Sequence, residues 1–144
     1  MPTLTHQQVL HILEDEWATY VDRFQKLSPD GRTEFLKKQG YNRFADLLAH
    51  IVDWWEVGYD NIIHFLMDPD YQPPERNVDE FNAEAISKVR GLSEDSVIRS
   101  FEEKRTFLLR WIEQLPKSAF NNEKVAKQFD MELIGHFSEH EIPG

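Results

Sequence analysis

Apolar residues recur along the chain at steps of three and four, the period of an amphipathic helix, and nowhere alternate as a half-buried strand would. From Thr5, a side chain suited to cap a helix start, Val9, Leu13, Trp17, Tyr20 and Phe24 mark one face of a segment running to Leu27. "SPDG" then predicts a stop, followed by an irregular connector that contains Phe35 and ends near Gly40-Tyr41. The next segment, residues 43–68, is apolar on more than one face. Phe44, Leu47, Leu48, Ile51, Trp54, Trp55, Ile62 and Phe65 make it the expected most buried helix. The prolines of "DPDYQPPER" end it, because proline cannot continue a helix. A shorter helix over 78–90 carries Phe81, Ala85 and Val89. Ser93 caps another, with Val97, Phe101, Leu108, Trp111 and Leu115, which Pro116 stops. "KSAFNN" turns the chain, and a last helix is expected from near Asp130 to Pro143.

This pattern predicts an all-α fold: a four-helix bundle with a short extra helix before the third long one. At 144 residues the chain is long enough to bury a hydrophobic core as one domain, 1–144. Apolar residues make up 40% and charged residues 29%, a globular rather than disordered balance. No apolar run reaches the length of a membrane span, and "MPTLTHQQ" lacks the basic and apolar regions of a signal peptide, so a cytoplasmic location is expected. A net charge of -10 repels phosphate backbones and argues against nucleic-acid binding. With no cysteine, thiolate metal sites, disulfides and a protein-borne thiol nucleophile are excluded. Any metal must be held by His, Asp or Glu.

The histidines offer one constellation. His136 and His140, four apart, share a helix face with Cβ atoms about 5–6 Å apart, so both imidazoles could reach one ion at about 2.0–2.1 Å. Alone they could equally be two surface residues near the chain end. A catalytic site also needs a third ligand and an open position. His50 is the candidate, because Leu47, Trp54 and Val57 place it on an apolar stripe of the most buried helix. The alternative there is a core histidine satisfied by a backbone carbonyl. His6 and His11 are turned roughly 140° apart and read as solvated residues of the first helix, while His64 lies roughly 21 Å along the axis from His50.

Asp46 and Asp53 flank His50, and Glu132 and Glu139 flank His136 in the same way. Each could orient an imidazole through its second ring nitrogen or accept a proton from metal-bound water, or simply stand on a polar face. Trp54 and Trp55 could line an apolar pocket, or be core aromatics. No Ser-His-Asp arrangement, Gly-rich phosphate loop or dinucleotide fingerprint appears.

With "ADLLAHIVDWW" around His50 and "ELIGHFSEH" near the end, the chain resembles the DinB-like superfamily of metal-binding four-helix bundles. The intervening "DEFNAEAISKVRGLSEDSVIRSFEEKRTFLLRWIEQLP" looks like the branch containing the ClbS/DfsB proteins, through its Asp-x-Phe-Asn and the long helix ending in Leu-Pro. The resemblance implies an up-down-down-up bundle and a divalent ion, zinc or nickel, held by His50, His136 and His140. It also implies a small-molecule substrate and a homodimer. Relatives of this kind include transferases and isomerases that depend on a low-molecular-weight thiol, and hydrolases using metal-activated water. The expectation is therefore a metal-dependent transferase or hydrolase. The alternative is a non-catalytic small-molecule-binding protein, or a bundle merely stabilised by its metal. The chain departs from the family pattern at Tyr41-Asn42, where a tryptophan is common ahead of the first ligand, and in its short last helix.

Overall fold

The computed structural model describes residues 4–143, and among these every regular element is helical. Thr5 caps α1 (His6–His11) through a reciprocal pair: its hydroxyl accepts from the Gln8 N–H, and the Gln8 side chain accepts from the Thr5 N–H. The helical course continues through a π turn at Ile12–Glu16 and a 3₁₀ turn at Trp17–Thr19 into α2 (Tyr20–Gln25).

Where an irregular connector was expected, the chain forms α3 (Pro29–Gln39). Its ends explain it. The Ser28 hydroxyl accepts from the Gly31 N–H, Pro29 occupies the first turn where no N–H is needed, and Gly40 closes the helix at φ 84°. Only Phe35 of α3 is buried, so no apolar period announces this helix.

The longest helix is α4 (Phe44–Met67), which buries Phe44, Leu47, Leu48, Ile51, Trp55, Ile62 and Phe65 as the pattern requires. After the proline-rich break come α5 (Val78–Lys88), capped by Asn77, and α6 (Glu94–Gln114), capped by Ser93. "KSAFN" forms a 3₁₀ turn. The last helical course starts earlier than Asp130. Asn122 accepts from the N–H groups of Lys124 and Val125 to open α7 (Glu123–Phe129), a π turn spans Asp130–Gly135, and α8 is His136–Glu139. His140 is therefore the residue that ends the last helix, its N–H still bonded to the His136 carbonyl at 2.9 Å.

α4 packs against α5, α6 and α7, and the two π turns meet each other across the core. Trp17 stands at their junction, edge-on to Trp55 at 5.0 Å and to Phe137 at 5.2 Å. Two indoles feed hydrogen bonds into the C-terminal π turn. Trp17 Nε1 donates to the Leu133 carbonyl (2.9 Å) and Trp55 Nε1 to the Glu132 carbonyl (3.1 Å). Tyr20 adds a third tie, donating its hydroxyl to the His140 carbonyl at 2.7 Å. Among the described residues no helix is long and apolar enough to cross a membrane.

Candidate metal centre

α4 and the last helical course bring His50, His136 and His140 together beside a cleft of about 580 Å³. The ring centroids stand 5.0 Å apart for His50 and His140, and 5.7 Å apart for the pairs His50–His136 and His136–His140. Three imidazoles bound tetrahedrally at 2.0–2.1 Å would have centroids roughly 5 Å apart. The set is thus near that spacing and slightly wider on the His136 side. Among the described residues no group of three His, Asp or Glu side chains already meets ligand geometry.

The second ring nitrogens explain how the rings are aimed. His50 Nδ1 lies 3.0 Å from Asn82 Oδ1 on α5, and His140 Nδ1 lies 2.6 Å from Gln39 Oε1 at the end of α3. An amide oxygen only accepts, so both Nδ1 atoms carry the proton and both Nε2 atoms keep a free lone pair. His140 Nε2 is buried without a hydrogen-bond partner among the described residues. An orphaned buried nitrogen is costly, and a cation would supply what this atom lacks. The rings are also kept uncharged, as ligation requires. Burial lowers the His50 pKa, with Asn82, Glu139 and Asp53 opposing. Burial and His50 push His136 down to about 4, against a pull from the Glu132 backbone. Burial, His50 and His136 push His140 down to about 3. The residues present therefore fit a divalent ion of the kind imidazole prefers.

The flanking carboxylates behave differently from one another. Asp46 is buried but turned to Arg43, which it meets at 2.9 Å, and Asp53 pairs with Lys88 at 3.1 Å. Neither orients His50; Asn82 does. Glu139 lines the cleft from an exposed position. Glu132 is only 7% exposed, also lines the cleft, and has one carboxyl oxygen buried without a partner. Burial, helped by Glu139, pushes its pKa up to about 8. Gly58 of α4 makes room for it, since a Cβ there would stand 2.5 Å from Glu132 Cγ.

Of the two tryptophans, Trp54 lines the cleft and Trp55 belongs to the core. Tyr41, just ahead of α4, packs on the His50 ring at 5.6 Å and lines the cleft. Burial and then Asp46 push its hydroxyl up to about 12. The remaining histidines lie elsewhere. His64 stacks on Tyr71, and His11 pairs with Asp15. His6 is not simply solvated as expected: it is half-buried, with its Nε2 2.6 Å from the Ile112 carbonyl and its ring 5.0 Å from Phe120. Asn82 and Gln39 are the site residues that helical spacing did not reveal. They lie 32 and 101 positions from the imidazoles they touch, on other helices. Compared with known proteins, the chain matches no protein-family model, no curated protein and no solved structure.

Proposed function

We propose that the protein is a metal-dependent enzyme acting on a small molecule, a transferase or hydrolase, with His50, His136 and His140 as the ligands of one divalent ion. The single observation carrying this reading is the convergence of three neutral imidazoles, two of them fixed through Nδ1 by side-chain amides, on the wall of an open cleft. A purely structural metal would need no such opening, since structural sites are closed by four protein ligands. We further read the bundle as DinB-like with up-down-down-up topology, and zinc or nickel as the ion.

The ion would supply Lewis acidity, polarising an electrophile or lowering the pKa of water or thiol toward neutrality. The chain's own residues do the rest. Asn82 and Gln39 hold two rings, Trp54 and Tyr41 wall the cleft, and Glu132 presents a carboxyl at its base. The chain has no cysteine, so a thiol nucleophile would have to come from a low-molecular-weight cosubstrate.

Cobalt tests the open position. Loading the metal-free protein with cobalt(II) is expected to give visible absorption that shifts on adding 2-mercaptoethanol. Failure to bind cobalt, or a spectrum unmoved by thiol and azide alike, would overturn the reading of an open catalytic site.

A further inference from the structure

We propose that Asn82 is a specificity-determining residue of the cleft, whose side-chain amide donates a hydrogen bond to an oxygen acceptor on an uncharged, apolar-bodied ligand. The inference rests on the reading above that the cleft is where ligand binds.

The orientation of this amide follows from its neighbours. An indole N–H can only donate, and Trp54 Nε1 lies 2.7 Å from the same Asn82 atom that His50 Nδ1 approaches at 3.0 Å. That atom is therefore the carbonyl oxygen, and its two lone pairs are both taken. Flipping the amide would set the indole N–H of Trp54 against an amino group. The NH₂ end is thereby fixed in the opposite direction. It makes no hydrogen bond to the described residues, while Asn82 is half-buried and lines the cleft. A donor whose direction is locked by its own oxygen is preorganised for an incoming acceptor.

The surroundings set the ligand's character. Trp54 packs on Phe81 at 4.4 Å, and the exposed side chains of Val78 and Met131 stand at the rim, so this wall is apolar. Among the described residues no Lys or Arg lines the cleft, and Asp130, Glu132 and Glu139 face it from the last helical course. The chain itself therefore offers a ligand acceptor a neutral donor and no cationic side chain. Gln39, the other amide in the lining, already has a partner at each end: its oxygen accepts from His140, and its nitrogen donates one N–H to the Glu139 carbonyl at 3.2 Å. The chemistry recognised is that of an aryl or alkyl ketone, amide or ester carbonyl beside an apolar body.

The test uses the zinc-loaded protein and two probes of matched shape, acetophenone and ethylbenzene, titrated by ¹H–¹⁵N NMR. Acetophenone is expected to shift the Trp54 indole and Asn82 amide signals and to bind roughly three- to tenfold more tightly, the factor one net hydrogen bond supplies. Asn82→Asp keeps an acceptor for His50 and Trp54 but has no donor to offer. It should bring the two probes to within about twofold of each other, a ratio that cancels any loss the added charge causes to both alike. Equal binding of the probes by the parent protein, or a ketone preference that survives Asn82→Asp, would overturn the proposal. The same titrations on the metal-free protein separate the two readings: a preference due to a bound ion disappears there, whereas one due to Asn82 persists in the parent and is lost in Asn82→Asp.

Discussion

Two imidazoles of the cluster, His50 and His140, have a neighbour that holds the far nitrogen. Partners of this kind typically govern metal affinity by about 10–100-fold. Gln39→Leu, which removes the acceptor from His140 Nδ1, is expected to weaken zinc binding by a factor of that order in a competition titration, with little change in helical content. Gly58 makes a different contribution, through space. Alanine there gains about 1 kcal/mol of helix propensity, but its Cβ would meet Glu132 Cγ at 2.5 Å, and overpacking of that kind costs about 1–3 kcal/mol. We expect Gly58→Ala to lower the melting temperature, and Gly58→Ala/Glu132→Ala to recover part of the loss relative to Glu132→Ala alone. Additive effects of the two substitutions would show that the contact is not the cause. The sequence singled out His50 by its apolar stripe and His136 and His140 by their four-residue spacing. It did not reveal Asn82 and Gln39, because a contact between helices leaves no mark in the spacing of either one.

The last helical course shows why some elements were legible and others were not. Val125, Phe129, Leu133 and Phe137 are all buried and all four apart. On a regular α-helix that spacing drifts about 40° per step, so a straight helix would turn Phe137 away from the core. The π turn at Asp130–Gly135 widens the helix and absorbs the drift. The first course repeats the device: Val9, Leu13 and Trp17 are four apart around the π turn at Ile12–Glu16. An uninterrupted run of four-residue steps is thus the signal both turns leave in the sequence, and the last start was placed too late because Asn122, which caps α7, lies in the stretch read as a turn. α4 and α6 keep a mixed three-and-four spacing and were read at nearly their true bounds. α3 was missed because it rests on its caps and buries only Phe35. Deleting Ile134 should return the turn to α geometry and rotate His136 and His140 by roughly 100° about the axis. Far-ultraviolet circular dichroism is expected to stay helical while stoichiometric zinc binding is lost. Retained binding would mean that the π turn does not aim the pair.

Across the whole molecule, the cluster joins the middle of the chain to its end. His50 lies in the first half of α4, while His140 closes α8 and is tied by Tyr20 and Gln39 to α2 and α3. An ion there would clamp segments that otherwise meet through packing and a few hydrogen bonds. Mass action makes the size of the effect calculable: ligand at a thousandfold excess over its dissociation constant adds about 4 kcal/mol. In a domain of this length that raises the melting temperature on the order of 10 °C. Chelation should remove that increment from the parent protein and leave His136→Ala unaffected. The most direct measurement is the divalent-metal content of the purified protein, taken beside that of His50→Ala. Close to one zinc or nickel ion per chain is expected in the parent, with a loss of nearly all of it in the variant. A parent protein that carries no stoichiometric ion and takes none up on dialysis against zinc or nickel, or a variant that keeps its ion, would contradict it.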